Sequence, residues 1–136
     1  MEGPSSDIAF TASVKAMQAW RGSRQAYAKM EARGGFETKL TPDLIAFLTE
    51  IDTAYLATAN AAGQPYVQHR SGPKGFICAL NETTLGFADY AGNRQYITLG
   101  NLDENGQALC APPTYQNLGT SSACRGRSRI NFAPYA

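Results

Sequence analysis

The sequence predicts a mainly β, α+β fold: N-terminal helices followed by an antiparallel meander that curls toward a barrel. Three observations predict it. Between Val14 and Ile51 apolar residues recur at helical spacing, interrupted by Gly22-Ser23 and Gly34-Gly35. After Ile51 the pattern changes to short β-prone runs separated by Asn, Gly and Pro turns. The chain has 136 residues and is 43% hydrophobic, the length of one domain with enough apolar side chains for a real core.

The elements follow in order. Phe10 to Ala19 reads as a helix with Val14, Met17 and Trp20 along one side. Gly22-Ser23 interrupts it, and Ser23 suits the N-cap of a second helix running through Tyr27 and Met30 to Arg33. Gly34-Gly35 ends that helix, because glycine tolerates the left-handed conformation of a C-cap. Thr41-Pro42-Asp43 starts a third: Thr caps, Pro occupies the first helical position, and Asp complements the positive end of the dipole. Leu44, Ile45, Phe47, Leu48 and Ile51 form its apolar face.

Strands come next. Thr53 to Ala59 and Pro65 to Arg70 flank a hairpin turn at Asn60-Ala61-Ala62-Gly63. A loop from Ser71 to Gly75 leads to Phe76–Leu80, and Asn81-Glu82 turns into Thr84–Ala88. Four consecutive strands with short turns make a meander. Asp89 to Asn93 then leads into a short helix from Arg94 to Leu99, stopped by Gly100-Asn101. From Asn105 onward there is no Asp or Glu, neither structural period is visible, and the only charges are Arg125, Arg127 and Arg129. Residues 1–105 are therefore read as the organised part and 106–136 as an atypical, irregular tail.

Composition excludes several classes. Twelve basic and eleven acidic residues leave a net charge of +1, against the strongly basic face of a nucleic-acid binder. No apolar run approaches the ~20 residues of a membrane span, and the start, Met1 to Asp7, lacks the basic and apolar regions of a signal peptide. No membrane partner and a cytoplasmic location are the expectations. Cys78, Cys110 and Cys124 are widely spaced with no C-x-x-C pair, so three reduced thiols are expected, with no disulfide framework and no metal site.

Two polar clusters fall at strand ends and loops, where binding groups concentrate. Gln68-His69-Arg70-Ser71-Gly72-Pro73 offers a guanidinium fork suited to phosphate, with hydroxyl and backbone donors beside it. Gly92-Asn93-Arg94-Gln95 offers Arg and amide groups at a helix start, where free N–H groups favour an anion. Together they resemble a clamp on one phosphorylated ligand. Taken singly, Arg70 and Arg94 read as surface ion-pair partners and Gly92-Asn93 as a turn.

Residues from about Asp7 to Asn105 resemble the pyridoxamine 5′-phosphate oxidase-like family of FMN-binding split β-barrels, in its uncharacterised flavin-binding branch. The resemblance is carried by Gly22-Ser23-Arg24 with Tyr27, by Tyr55 to Asn60, by Gly63 to Arg70, by Gly72-Pro73 with Gly75-Phe76, and most specifically by Phe87 to Tyr96, continuing through Leu99 to Leu102 and Glu104-Asn105. It implies a homodimer with FMN at the subunit interface and a flavin-dependent oxidoreductase acting on a small molecule. It also implies roles: phosphate for Arg70, Arg94 and Gln95 with Ser71 and Asn93 in support, and the ring or ribityl chain for Gln68, His69 and Asp89. His69, the only histidine, suits an orienting hydrogen bond better than acid–base work, since flavin carries the redox chemistry itself.

The chain departs from the family in two ways. No histidine follows His69, so the Arg-x-His pair that closes the substrate site of the true oxidases is missing. The apolar strands expected after Glu104-Asn105 give way to Gly106 to Pro113 and a polar tail, through either a reading-frame change near Gly106 or a natural short variant. Later barrel strands are then missing. That leaves a second reading, a truncated, non-catalytic dimeric barrel that binds no flavin. A third reading exchanges FMN for heme or a deazaflavin, and a single imidazole supports heme poorly.

Overall fold

The computed structural model describes residues 3–89, 93–112 and, as backbone, 124–127. The chain forms two compact units, Met1–Leu40 and Thr41–Ala136.

The first unit is helical. Ser5–Ile8 forms a 3-10 turn, followed by α1 (Ala12–Arg21) and α2 (Arg24–Ala32). Helix α1 begins two residues later than Phe10 because Thr11 is its N-cap, the hydroxyl accepting from the Val14 N–H at 3.3 Å. Ser23 precedes α2 without a side-chain cap. Phe10 instead anchors an aromatic cluster, its ring edge-on to Tyr27 at 5.2 Å and to Phe36 at 5.3 Å. Of the side that carries Val14, Met17 and Trp20, Val14 is half-buried while Met17 is 54% and Trp20 72% exposed. Gln18 is buried. Around it Arg24 binds both Gln18 and Glu31, and Lys15 bridges Asp7 at 2.7 Å and Glu31 at 3.1 Å. Ionic and hydrogen-bonding groups thus override the apolar periodicity of α1. Gly35, at φ +91°, lets the 3-10 turn close in, since a Cβ there would lie 2.6 Å from the Ser6 nitrogen.

The second unit carries the sheet. Helix α3 (Pro42–Leu48) starts as predicted, with the Thr41 hydroxyl accepting from the Leu44 N–H at 3.2 Å. Leu48, Ile51, Ala54 and Ile77 form the buried core, with Leu44, Phe47, Phe76, Leu85 and Cys110 packed around it. Strands β1 (Thr53–Ala59) and β2 (Pro65–Ser71) pair antiparallel, from Thr53 opposite Ser71 to Ala59 opposite Pro65. On its other edge β1 pairs with β5 (Gln107–Ala111), which pairs with β6 (Cys124–Arg127), giving the order β2-β1-β5-β6. Strands β3 (Cys78–Asn81) and β4 (Thr84–Gly86) form a separate ribbon.

Two expectations change here. The meander breaks after β2, because the following loop folds back over the start of β1: Gly72 N–H binds the Asp52 carbonyl at 3.1 Å and Gly75 N–H binds that of Ile51 at 3.0 Å. And the segment after Asn105, read as irregular, enters the sheet. Leu56 opposite Cys110 and Ala57 opposite Leu109 show why. A five-residue segment whose apolar residues run consecutively, without alternation, pairs with the edge of β1 left free by β2. The described strands form a partial split barrel that does not close.

Helix α4 (Ile97–Glu104) begins three residues later than the sequence suggests and runs through Gly100-Asn101. Asn101 is buried and gives its amide to the Thr58 hydroxyl at 3.0 Å, a tertiary contact that outweighs its preference for a helix end. Among the described residues no helix is long and apolar enough to cross a membrane.

Candidate anion site on strand β2

Alternation decides which predicted residues share a face. Side chains directly opposite in a ladder point the same way. The inner face of the sheet therefore takes Ala54, Leu56 and Thr58 of β1 with Arg70, Gln68 and Tyr66 of β2. His69 and Ser71 point from the other face, with Tyr55 and Thr53. There the Thr53 hydroxyl lies 2.8 Å from His69 Nε2, and the Tyr55 ring meets the imidazole edge-on at 5.5 Å. The contiguous run Gln68–Ser71 is thus split into two pairs on opposite sides of the sheet.

The inner pair is engaged by the segment that holds the second cluster. Arg70 forms an ion pair with Asp89 through Nη1, and its guanidinium lies 5.9 Å from the Phe87 ring. Two residues back on the same face, about 7 Å along the strand, Gln68 Oε1 accepts from the Thr98 hydroxyl at 2.8 Å. Asp89 precedes the Asn93–Gln95 turn and Thr98 follows it, so both flanks of that turn are bonded to adjacent inward positions of β2. In the turn the Gln95 N–H donates to Asn93 Oδ1 at 3.2 Å, and all three side chains are exposed. Arg94 and Tyr96 adopt left-handed backbone, φ 59° and 56°. Tyr90–Gly92, including the predicted Gly92, lie outside the described residues.

Among the described residues the guanidinium of Arg70 is not fully satisfied: its Nε is buried and has no hydrogen-bond partner there, while the side chain as a whole is only 15% exposed. Asp89 takes one end of the fork; the Nε–Nη2 edge is the one that grips a phosphate or carboxylate side-on. An unpaired buried donor costs about 1–3 kcal/mol, which an anion on that edge would offset. Arg94 adds a second, exposed guanidinium, and Asn93 and Gln95 add amide donors. This donor set suits a phosphate. Among the described residues no group of three or more His, Cys, Asp or Glu could hold a metal ion.

The sequence profile of the pyridoxamine 5′-phosphate oxidase family matches residues 40–130. The chain belongs to that family. The match begins at the boundary between the two units, so it covers the sheet and the site on β2. No curated protein and no solved structure matches the chain. The family is one of flavin-binding split barrels.

Thr58, Thr98 and Asn101 were not among the expected site residues. Their signal was present: Thr98, Asn101 and Glu104 recur at a spacing of three along α4, a polar stripe on one face. Glu104 also reaches the sheet, its carboxylate accepting from the Ala61 N–H of the β1–β2 turn at 2.9 Å.

Proposed function

We propose that the protein binds FMN, with Arg70 as the principal phosphate ligand and Arg94, Asn93 and Gln95 completing the anion site. The observation that carries this reading is the buried Nε of Arg70, which has no partner among the described residues, on the inner face of a flavin-family sheet. Bound flavin would supply electron and hydride transfer in the reaction of an unidentified small-molecule substrate, making the chain a flavin-dependent oxidoreductase related to the pyridoxamine 5′-phosphate oxidases. The protein's part is to hold and orient the cofactor: Arg70 neutralises phosphate charge, and Asp89 fixes the guanidinium plane. His69 and Ser71 serve the cofactor only from the opposite face, where a second subunit of a homodimer would meet it. The test is titration of FMN with the purified chain, followed by quenching of flavin fluorescence. Saturation near one FMN per chain supports the reading.

A second reading rests on a specific observation. Arg70 is already ion-paired with Asp89, Val67 on strand β2 is 59% exposed and Leu80 on the β3–β4 ribbon 65%. A partial barrel of this kind would act as a dimeric, non-catalytic module without flavin. FMN fluorescence unchanged by excess protein selects it.

A further inference from the structure

We propose that Thr98, acting through Gln68, is a positioning residue for the anion site: it holds the Asn93–Gln95 turn in register with Arg70. This rests on the reading that the site takes the flavin phosphate. It also moves Gln68 from the ligand to the framework.

Four observations carry it. Arg94 and Tyr96 both sit in left-handed backbone, a conformation that costs a non-glycine residue about 1–2 kcal/mol. Such residues persist only where the surroundings over-determine them. Neither Arg94 nor Gln95 is buried, so the turn has no packing of its own to fix it. What fixes it lies on either side: Asp89 is bound to Arg70, and Thr98 to Gln68, its neighbour on the same face. Thr98 is 4% exposed, and its hydroxyl donates to the Gln68 amide oxygen in a part-buried bond. Asn101 to Thr58 and Glu104 to Ala61 continue the same seam down α4, and Thr98 is the member nearest the turn. A ligand phosphate that needs groups from β2 and from the turn at once needs this spacing preset, because pre-organisation removes an ordering cost from binding.

The inference separates phosphate affinity from ring affinity. Thr98→Val keeps the shape and removes the hydroxyl; Thr98→Ser restores it. Each variant is titrated with FMN and with riboflavin, which carries the ring and ribityl chain without the phosphate, and amide hydrogen exchange is followed in the ligand-free proteins. For Thr98→Val we expect roughly tenfold weaker FMN binding, the equivalent of one hydrogen bond, recovery in Thr98→Ser, and unchanged riboflavin binding. Exchange should quicken in residues 93–98 and stay as in the parent across β1 and β2. Parent-like FMN affinity in Thr98→Val overturns the inference, as does equal loss of FMN and riboflavin or unchanged exchange in the turn. A parent chain that binds no FMN sinks the flavin reading and this inference with it; a parent that binds FMN alongside an indifferent Thr98→Val sinks this inference alone.

Discussion

Thr53 and His69 meet diagonally across the β1–β2 ladder, hydroxyl to Nε2 at 2.8 Å, on the side of the sheet away from Arg70. Neighbours in sequence, His69 and Arg70 therefore belong to different surfaces. His69→Ala should cost about 0.5–1 kcal/mol of stability through the lost hydrogen bond and aromatic contact. FMN affinity should stay within about twofold. Urea unfolding and FMN titration of the same variant check both halves. A loss of affinity as large as that from Arg70→Ala would place the ligand on the His69 face.

Arg70→Ala removes the fork and should weaken FMN binding about 10- to 100-fold, the range for a charged hydrogen-bonding group. Asp89→Asn tests the same site from the other side. It leaves the Arg70 charge without the carboxylate that orients it and frees one flank of the turn, so the ligand-free chain should melt lower and the shift in melting temperature produced by FMN should shrink. A larger shift would mean that Asp89 competes with the ligand for Arg70.

Gly72→Ala addresses the loop that follows Arg70. A Cβ at this position would lie 2.8 Å from that of Phe76, which packs on the core. Either Phe76 moves or the loop does. The expected loss is about 1–3 kcal/mol, typical of overpacking, read as a lower urea midpoint with unchanged slope.

The helical unit carries a pH signature. The Asp7 carboxylate, and then that of Glu31, hydrogen-bond Lys15 and raise its pKa above the usual 10.5. A cation whose folded-state pKa is raised stabilises the fold fully below the unfolded value and loses that contribution as pH climbs through the folded one. Helicity should therefore fall above about pH 10.5, and Lys15→Gln should show a flatter alkaline profile. Circular dichroism across that range decides it; parallel profiles would remove Lys15 from the account.

Local chemistry made much of the fold legible. Thr41-Pro42 announced a helix start, the Asn60–Gly63 turn announced a hairpin, and both formed. What stayed hidden depended on contacts distant in sequence. Asn101 reads as a helix stop until Thr58 is seen to take its amide. The Gln107–Ala111 segment shows no period because its strand character comes from the edge of β1. The candidate site was half visible: Arg70, Asp89 and Arg94 have the right chemistry in isolation. The division of Gln68–Ser71 between two faces needed the register, and the bond between Thr98 and Gln68 needed the path of α4.

The outward turn of α1 has a practical corollary. Trp20, the single tryptophan, lies largely in water with Arg21 stacked on its ring at 4.3 Å. Its emission in the native chain will already be close to that of an indole in solvent, and denaturation will scarcely move it. The usual optical signal of unfolding would then report a protein that never melts. Far-ultraviolet circular dichroism is the signal by which this chain's stability has to be followed.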